Sequence, residues 1–361
     1  MPAERVVVGM SGGVDSAVSA AFLKEQGYEV LAVTLTFWKG EEDEEKSWRD
    51  RSCCKVGLAR FVAEKLSIPH EVIDLQESFL REVIGDFCDV YLSGRTPNPC
   101  VRCNERIKFG RLLEIARERG AASLATGHYA QVRADSDTGR LRLFQGGDPS
   151  KDQSYFLYRL NQDQLSQVRF PLGGMRKEEV YRKAESLGLP YEEILESQEI
   201  CFVNQRDYGD VLTELRPEAV RPGPILDRGG RILGTHHGVA FYTIGQRRGL
   251  GVSSAGRLYV TELRTQDNAI VVGEESDLYR QEVEVGELNW IRWARPDFPL
   301  RILAKLRYRT APAPASLDRL GEDRVRVRLD TPVRGITPGQ SAVFYIENEV
   351  IGGGIIRSEQ R

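Results

Sequence analysis

Arg5-Val6-Val7-Val8-Gly9-Met10-Ser11-Gly12-Gly13-Val14-Asp15-Ser16 opens the chain with a β-branched run that breaks into a glycine pair, and Ala17 to Glu25 continues with helical character. The pattern predicts strand, glycine loop, helix. Two glycines let backbone approach an anion closely, and the following helix offers it free N–H groups and a positive dipole end. Phosphate is the ligand that arrangement favours. The loop is not a Walker A loop, because G-K-[ST] is missing, and it is not G-x-G-x-x-G. With no loop lysine on the terminal phosphates, it suits a β,γ-pyrophosphate that leaves as a unit with Mg2+ sharing its charge, so cleavage falls between the α and β phosphates. A plain turn capped by Ser11 or Asp15 is the competing reading of so short a motif.

Outward from the loop, Glu29 to Leu35 is a second apolar run at the spacing of a parallel neighbour, and Pro69 to Leu75 and Ala121 to Gly127 follow, separated by helical stretches. This alternation predicts a doubly wound α/β parallel sheet, Rossmann-like, with its ligand at the carboxyl ends of the strands. Around Asn204 the texture changes. Arg221-Pro222-Gly223-Pro224, Asp227-Arg228-Gly229-Gly230 and Gly249-Leu250-Gly251 punctuate short β-prone pieces. Beyond about Glu282, Leu300 to Tyr308 and Arg324 to Leu329 alternate in period two, and Ala311-Pro312-Ala313-Pro314 and Gly352-Gly353-Gly354 read as turns of an antiparallel β-barrel. The expected division is 1–204, 205–281 and 282–361: an α/β domain that carries the phosphate loop, a small β-rich domain and a C-terminal barrel.

A chain of 361 residues with 41% hydrophobic and 29% charged side chains suits two or three cores and indicates neither disorder nor a repeat array. Strand and loop lie within ten residues of Met1 and no apolar run is long enough to span a bilayer, which predicts a cytoplasmic protein. The net charge of −3 gives no global field for a polyanion, but from Gly286 onward 13 Arg and Lys face 9 acids.

In a reducing compartment six cysteines read as thiols, metal ligands or catalytic groups before disulfides. Cys100 and Cys103 form C-x-x-C in Gly94 to Asn104, where two prolines predict an extended, exposed turn ahead of a helix starting near Glu105, whose N-terminus would lower a thiol pKa. Cys201 lies in Ile200-Cys201-Phe202, Cys53 and Cys54 are adjacent, and Cys88 reads as buried packing. One C-x-x-C is a weak zinc signal, and an iron–sulfur or zinc site drawing on Cys100, Cys103 and Cys201, or on Cys53 and Cys54, stays open. So does redox chemistry, in which one thiolate carries a persulfide sulfur and a second releases it by forming a disulfide.

Ser11 to Ser16 resembles the signature of the PP-loop ATP pyrophosphatases, which adenylate a substrate oxygen. Together with Gly94 to Asn104, Lys108-Phe109, Ala125 to Tyr129, Lys151 to Leu157, Ile200 to Phe202, Thr243 to Gly251 and Thr337 to Ala342 in that order, it makes almost the whole chain similar to the tRNA-specific 2-thiouridylases, the MnmA/TrmU family. The resemblance implies an ATP site at Gly9, Met10, Ser11, Gly12, Gly13, Val14, Asp15 and Ser16, with Leu35 beside the adenine or ribose and the Gly127 backbone on the nucleotide. It implies Cys103 as nucleophile, Cys201 as persulfide carrier, and Asn98, Pro99 and Cys100 at the target base. His128, Lys151, Asp152, Gln153, Arg307, Tyr308 and Gln340 match positions that touch tRNA. Many relatives carry an aspartate where this chain has Cys100, and a thiol of ordinary pKa about 8.5 is a poor acid or base in its place.

The chemistry implied is ATP- and Mg2+-dependent 2-thiolation of the tRNA wobble uridine: AMP is placed on O2, which is otherwise a very poor leaving group, and sulfur is then delivered from the Cys201 persulfide. A sulfur donor protein, a cysteine desulfurase or a relay, is implied as partner. Two rivals weigh against it: another PP-loop ligase, which has no need of Cys103 and Cys201, and a noncatalytic RNA-binding protein with a structural metal, which has no need of an ATP loop.

Overall fold

The Val6-Val7-Val8 run is buried on both faces, as expected of a central parallel strand covered by helices on either side. The computed structural model describes residues 3–37, 55–189, 200–203, 207–254 and 256–358. Cys53 and Cys54, and the expected domain boundary at Asn204, lie outside them. Strands β1 (Arg5–Gly9), β2 (Glu29–Thr36), β3 (His70–Asp74) and β4 (Ser123–Ala125) form a parallel sheet with β7 (Val168–Arg169), in the order β3-β2-β1-β4-β7. The hairpin β5 (Ala130–Ala134) and β6 (Leu141–Gln145) leaves this sheet for another.

Helices cover both faces. Val6, Val8, Val30 and Ala32 share a core with α1 (Val14–Glu25) and α2 (Val56–Lys65). On the other face Val7, Leu31, Val33 and Leu35 pack with α3 (Gln76–Phe79), α4 (Gly85–Leu92) and the helical stretch through Cys103. That stretch begins as α5 (Pro99–Arg102), passes through a π-helical segment at Cys103–Arg111 and ends as α6 (Leu112–Glu118). It starts at Pro99 and not near Glu105, because Asn98 Oδ1 accepts from the Val101 N–H at 3.3 Å and proline suits the first helical position, where its missing N–H costs nothing. The expected extended turn is therefore helix from Pro99 on. Short α7 (Gln162–Ser166) and α8 (Lys177–Ser186) complete the unit.

After α9 (Tyr208–Leu215) come β8 (Gly223–Leu226), β9 (Ile232–His236), β10 (Tyr259–Arg264) and β11 (Ala269–Gly273), a four-stranded sheet around Ile225, Val260 and Ile270. Then β12 (Tyr279–Trp290), β13 (Leu300–Lys305), β14 (Ala313–Arg319), β15 (Arg324–Arg334), β16 (Ser341–Ile346) and β17 (Glu349–Ile356) close into a six-stranded antiparallel barrel, because β12 pairs with both β15 and β17. The fold is the expected one.

One expected turn is strand: Gly352-Gly353-Gly354 lies inside β17. A Cβ at Gly353 would stand 2.6 Å from Ala342 O and 2.7 Å from the Tyr158 ring, and at Gly354 2.5 Å from Gly286 O. The glycines serve close approach, and the approaching ring comes from the α/β domain. The β5–β6 hairpin also pairs with β17, so the barrel and the α/β domain share a sheet.

Candidate nucleotide and cysteine site

The sheet reverses direction of travel between β1 and β4, and the glycine loop lies at that switch point, where open α/β sheets bind ligands. Gly12 has φ +76, and a Cβ there would stand 2.5 Å from the Lys55 carbonyl oxygen, so only glycine fits. Gly13 precedes α1 in an extended conformation, and no side chain caps the helix. The serines brace the loop instead: Ser16 Oγ donates to Gly13 O at 2.9 Å and accepts from the Ser11 N–H at 3.2 Å. Thr34 Oγ1 donates to Met10 O at 2.8 Å, tying β2 to the same turn. From β4, Gly127 comes so close that a Cβ would meet the Asp15 backbone at 2.8 Å.

This cradle fits a triphosphate: helix N–H groups without a side-chain cap, a glycine backbone, and the Asp15 carboxylate as the hard oxygen donor that Mg2+ prefers. Asp15 Oδ1 accepts from Tyr129 OH and from Lys177 Nζ, each at 2.7 Å. The Leu35 side chain belongs to the core under the sheet.

Cys103 is 9% exposed and part of the main core, while Cys100 and Cys201 are exposed. Cys201 sits in a tight turn closed by the Val203 N–H on Ile200 O at 3.0 Å. Its neighbours anchor it: Ile200 and Phe202 pack on the core that holds Cys103, with the Phe202 ring 5.1 Å from Phe87 and 5.9 Å from Phe79. Burial pushes Cys103 up to about 12, with Lys108 opposing and Cys201 and Cys100 adding; Cys100, although its side chain reaches solvent, has enough protein packed around it that its thiol is pushed upward as well, with Cys201 adding and Lys108 opposing. The lowering expected of a helix N-terminus does not appear: Cys100 is the second residue of α5, yet desolvation raises both it and Cys103.

The same interactions put all three thiols in one electrostatic neighbourhood. Among the described residues no group of three His, Cys, Asp or Glu side chains stands arranged to hold a metal ion; Cys53 and Cys54 lie outside them.

The residues expected at tRNA are largely engaged within the protein. His128 is 8% exposed, its Nδ1 2.7 Å from Thr126 Oγ1 and its ring between Phe109 and Phe170. Burial, helped by Lys108, holds its pKa well below the ordinary value, so it is neutral at pH 7. Asp152 is buried and accepts from the Gly146 and Ser154 N–H groups, both at 3.1 Å. Gln153 pairs with the Tyr129 backbone in both directions at 3.0 Å. Arg307 donates to Gly335 O and, at 2.7 Å, to Thr337 Oγ1.

Tyr308 packs on Phe156 with ring centroids 4.4 Å apart and planes tilted by 44°, and donates to Asp152 O at 3.3 Å. It lines a groove of about 530 Å³ between the Gln145–Asp152 segment, which includes Lys151, and the Lys305–Pro312 turn of the barrel.

Sequence reasoning missed how the barrel holds the cysteine segment. Gln340 Nε2 donates to Pro97 O at 2.7 Å and Thr96 O at 3.2 Å, and the Thr96 N–H donates to Pro338 O at 2.8 Å. Tyr155 donates to Ser341 O at 2.9 Å. Arg102, between the two cysteines, pairs with Glu105 and with Glu287 of β12 at 3.1 Å each and with Asp86 at 3.5 Å. The motifs Thr337 to Ala342 and Gly94 to Asn104 were visible as signals; that they bind each other was not.

A glycine-loop cradle at the switch point of a parallel α/β sheet, with a cysteine segment held by a β-barrel, defines a class of multidomain α/β proteins. Family profiles agree by domain: one described as tRNA methyl transferase HUP domain matches residues 4–205, one as its PRC-barrel domain 209–274, and one as aminomethyltransferase beta-barrel domain 280–356. The tRNA-specific 2-thiouridylase MnmA 1 of Caldanaerobacter subterraneus is 46% identical over 99% of both chains. The tRNA-specific 2-thiouridylases of Moorella thermoacetica, 46% identical over 98% of this chain and 99% of its own, and Acetivibrio thermocellus, 43% over 99% and 100%, are similar along their whole length. The chain belongs to the tRNA-specific 2-thiouridylase family.

Proposed function

We propose that this enzyme converts the wobble uridine of tRNA to 2-thiouridine in the cytoplasm, using ATP and a persulfide on Cys201. What carries the reading is that Cys201, at the tip of its anchored turn, shares an electrostatic neighbourhood with Cys103 in a domain that also holds an ATP cradle. Uridine O2 attacks the α-phosphorus of ATP, and pyrophosphate leaves held by the loop; Mg2+, when bound, shares its charge. The terminal sulfur of the Cys201 persulfide then attacks C2, and AMP departs with the former O2. Cys103, once deprotonated, attacks the Cys201 sulfur. The S–S bond breaks, sulfur stays on C2, and a Cys103–Cys201 disulfide remains for an external thiol to reduce. The sulfur is supplied by a cysteine desulfurase or a relay protein.

The target base is splayed from the anticodon loop toward Asn98, Pro99 and Cys100, and the Tyr308 groove offers it or its neighbour an aromatic face. Since Cys100 is held as a neutral thiol, it donates a hydrogen bond, and water takes the role of base. His128, Lys151, Asp152, Gln153, Arg307 and Gln340 support the tRNA surface, several of them by shaping it. We also propose three domains, divided near Asn204 and just ahead of β12, which starts at Tyr279, slightly before the expected 282.

A methyl transfer, the word in two of the profile descriptions, has no use for this cradle or for two opposed cysteines. The test is mass spectrometry of tRNA nucleosides after incubation with ATP, Mg2+ and a persulfide donor. Wild type should yield 2-thiouridine with AMP and pyrophosphate, and Cys201→Ser should still release pyrophosphate but transfer no sulfur. ADP and phosphate as products, or full thiolation by Cys201→Ser, sinks the mechanism.

A further inference from the structure

The glycine loop carries no lysine, but one arrives from α8. Lys177 is the first residue of that helix, and its ammonium and the Tyr129 hydroxyl both take Asp15 Oδ1 at 2.7 Å. Burying an ammonium costs several kcal/mol unless it is paired, so such a contact is built and not incidental. Both ends of the residue are fixed. The Lys177 N–H donates to Asp148 Oδ2 at 3.0 Å, while Asp148 Oδ1 accepts from the Ser150 N–H at 2.9 Å. At the tip, Nζ lies 4.9 Å from the Tyr181 ring centroid and 5.7 Å from that of Tyr129, within cation–π range. Exposure sets the order: the Lys177 side chain is 6% exposed and that of Asp15 32%, so the carboxylate faces the open loop with the ammonium behind it.

We propose that Lys177 is a positioning residue of the nucleotide site: with Tyr129 it holds Asp15 by one oxygen, offsets its charge, and leaves the other oxygen for Mg2+–ATP. This rests on the loop's being the ATP site. An uncompensated carboxylate beside a triphosphate repels it, whereas one backed by a fixed cation can serve as a metal ligand, the usual task of a partner behind a ligating carboxylate.

The test is calorimetric binding of Mg2+–ATP in the absence of tRNA, with tRNA affinity measured separately. Lys177→Met should weaken Mg2+–ATP binding about 10- to 100-fold, leave tRNA affinity unchanged, and recover in part as Lys177→Arg. Tyr129→Phe, a milder change that leaves the ion pair, should give a smaller loss in the same direction. The double variant Asp15→Asn/Lys177→Met, which leaves no unpaired buried charge, should bind no more weakly than Asp15→Asn alone. Wild-type binding by Lys177→Met beside a defective Asp15→Asn overturns this proposal only, as do losses that multiply in the double variant. Wild-type binding by Asp15→Asn overturns the nucleotide-loop reading and this one with it.

Discussion

The nucleotide cradle and the cysteine site are built in opposite ways. The cradle is largely local: Ser11, Gly13 and Ser16 bond one another within five residues, and the helix they introduce follows at once. The cysteine site is assembled: Pro99 starts its helix, Ile200 and Phe202 bring Cys201 to it, and Thr337 to Ser341 of the barrel clamp the irregular segment before it. A local site can fail through one backbone torsion. An assembled site degrades by losing alignment, and its residues influence chemistry they never touch.

The largest effect is expected where the cradle has no slack. Gly12→Leu forces a Cβ into the Lys55 carbonyl at a φ that favours glycine, so pyrophosphate release should fall about 100- to 1,000-fold, the scale of losing preorganised backbone donors, with tRNA affinity intact. A Gly12→Leu enzyme that releases pyrophosphate at the wild-type rate would show that the loop does not hold the phosphates.

Gln340→Ala sharpens the comparison from the other side. If Gln340 acts by holding Thr96 and Pro97, sulfur transfer should slow about 10-fold with tRNA affinity and its salt dependence unchanged, since misplacement of a reacting group lowers rate more than binding. A loss confined to tRNA affinity would make it a direct RNA contact instead.

The smallest effect is expected at Arg307. Its guanidinium is spent on Gly335 O and Thr337 Oγ1, so Arg307→Ala should loosen that turn and weaken tRNA binding only a few-fold, with the slope of log affinity against log salt nearly unchanged. A slope lower by about one would show that Arg307 turns outward to neutralise a phosphate.

Much of the fold was legible because its signals are periodic. Both-face burial of Val6 to Val8 and the period-two runs of the barrel follow from chain geometry alone. The two misread stretches share a cause. Proline at Pro99 and glycine at Gly352 to Gly354 were taken at their commonest local meaning, turn, when helix initiation in the first case and close approach of neighbouring barrel strands, with the Tyr158 ring at Gly353, in the second gave them a different one. The basic excess after Gly286 was real as composition. Much of it is nevertheless spent in ion pairs: Arg301 with Asp330, Arg326 and Arg328 with Glu282, and Arg292 with Glu349.

By itself the sequence determined the glycine loop, the order of the elements and which side chains have the chemistry to carry sulfur, since each depends on contacts a few positions apart or on chemistry that belongs to the side chain alone. Tertiary structure decided what state those groups are in. Lys177 reaches Asp15 across 162 positions and Gln340 reaches Thr96 across 244, and no local pattern encodes either. The thiol pKa of Cys103 likewise belongs to its surroundings: the motif suggested an activated thiolate, but the packed core around it withholds the solvation a charge needs, and desolvation exceeds what one helix dipole can return.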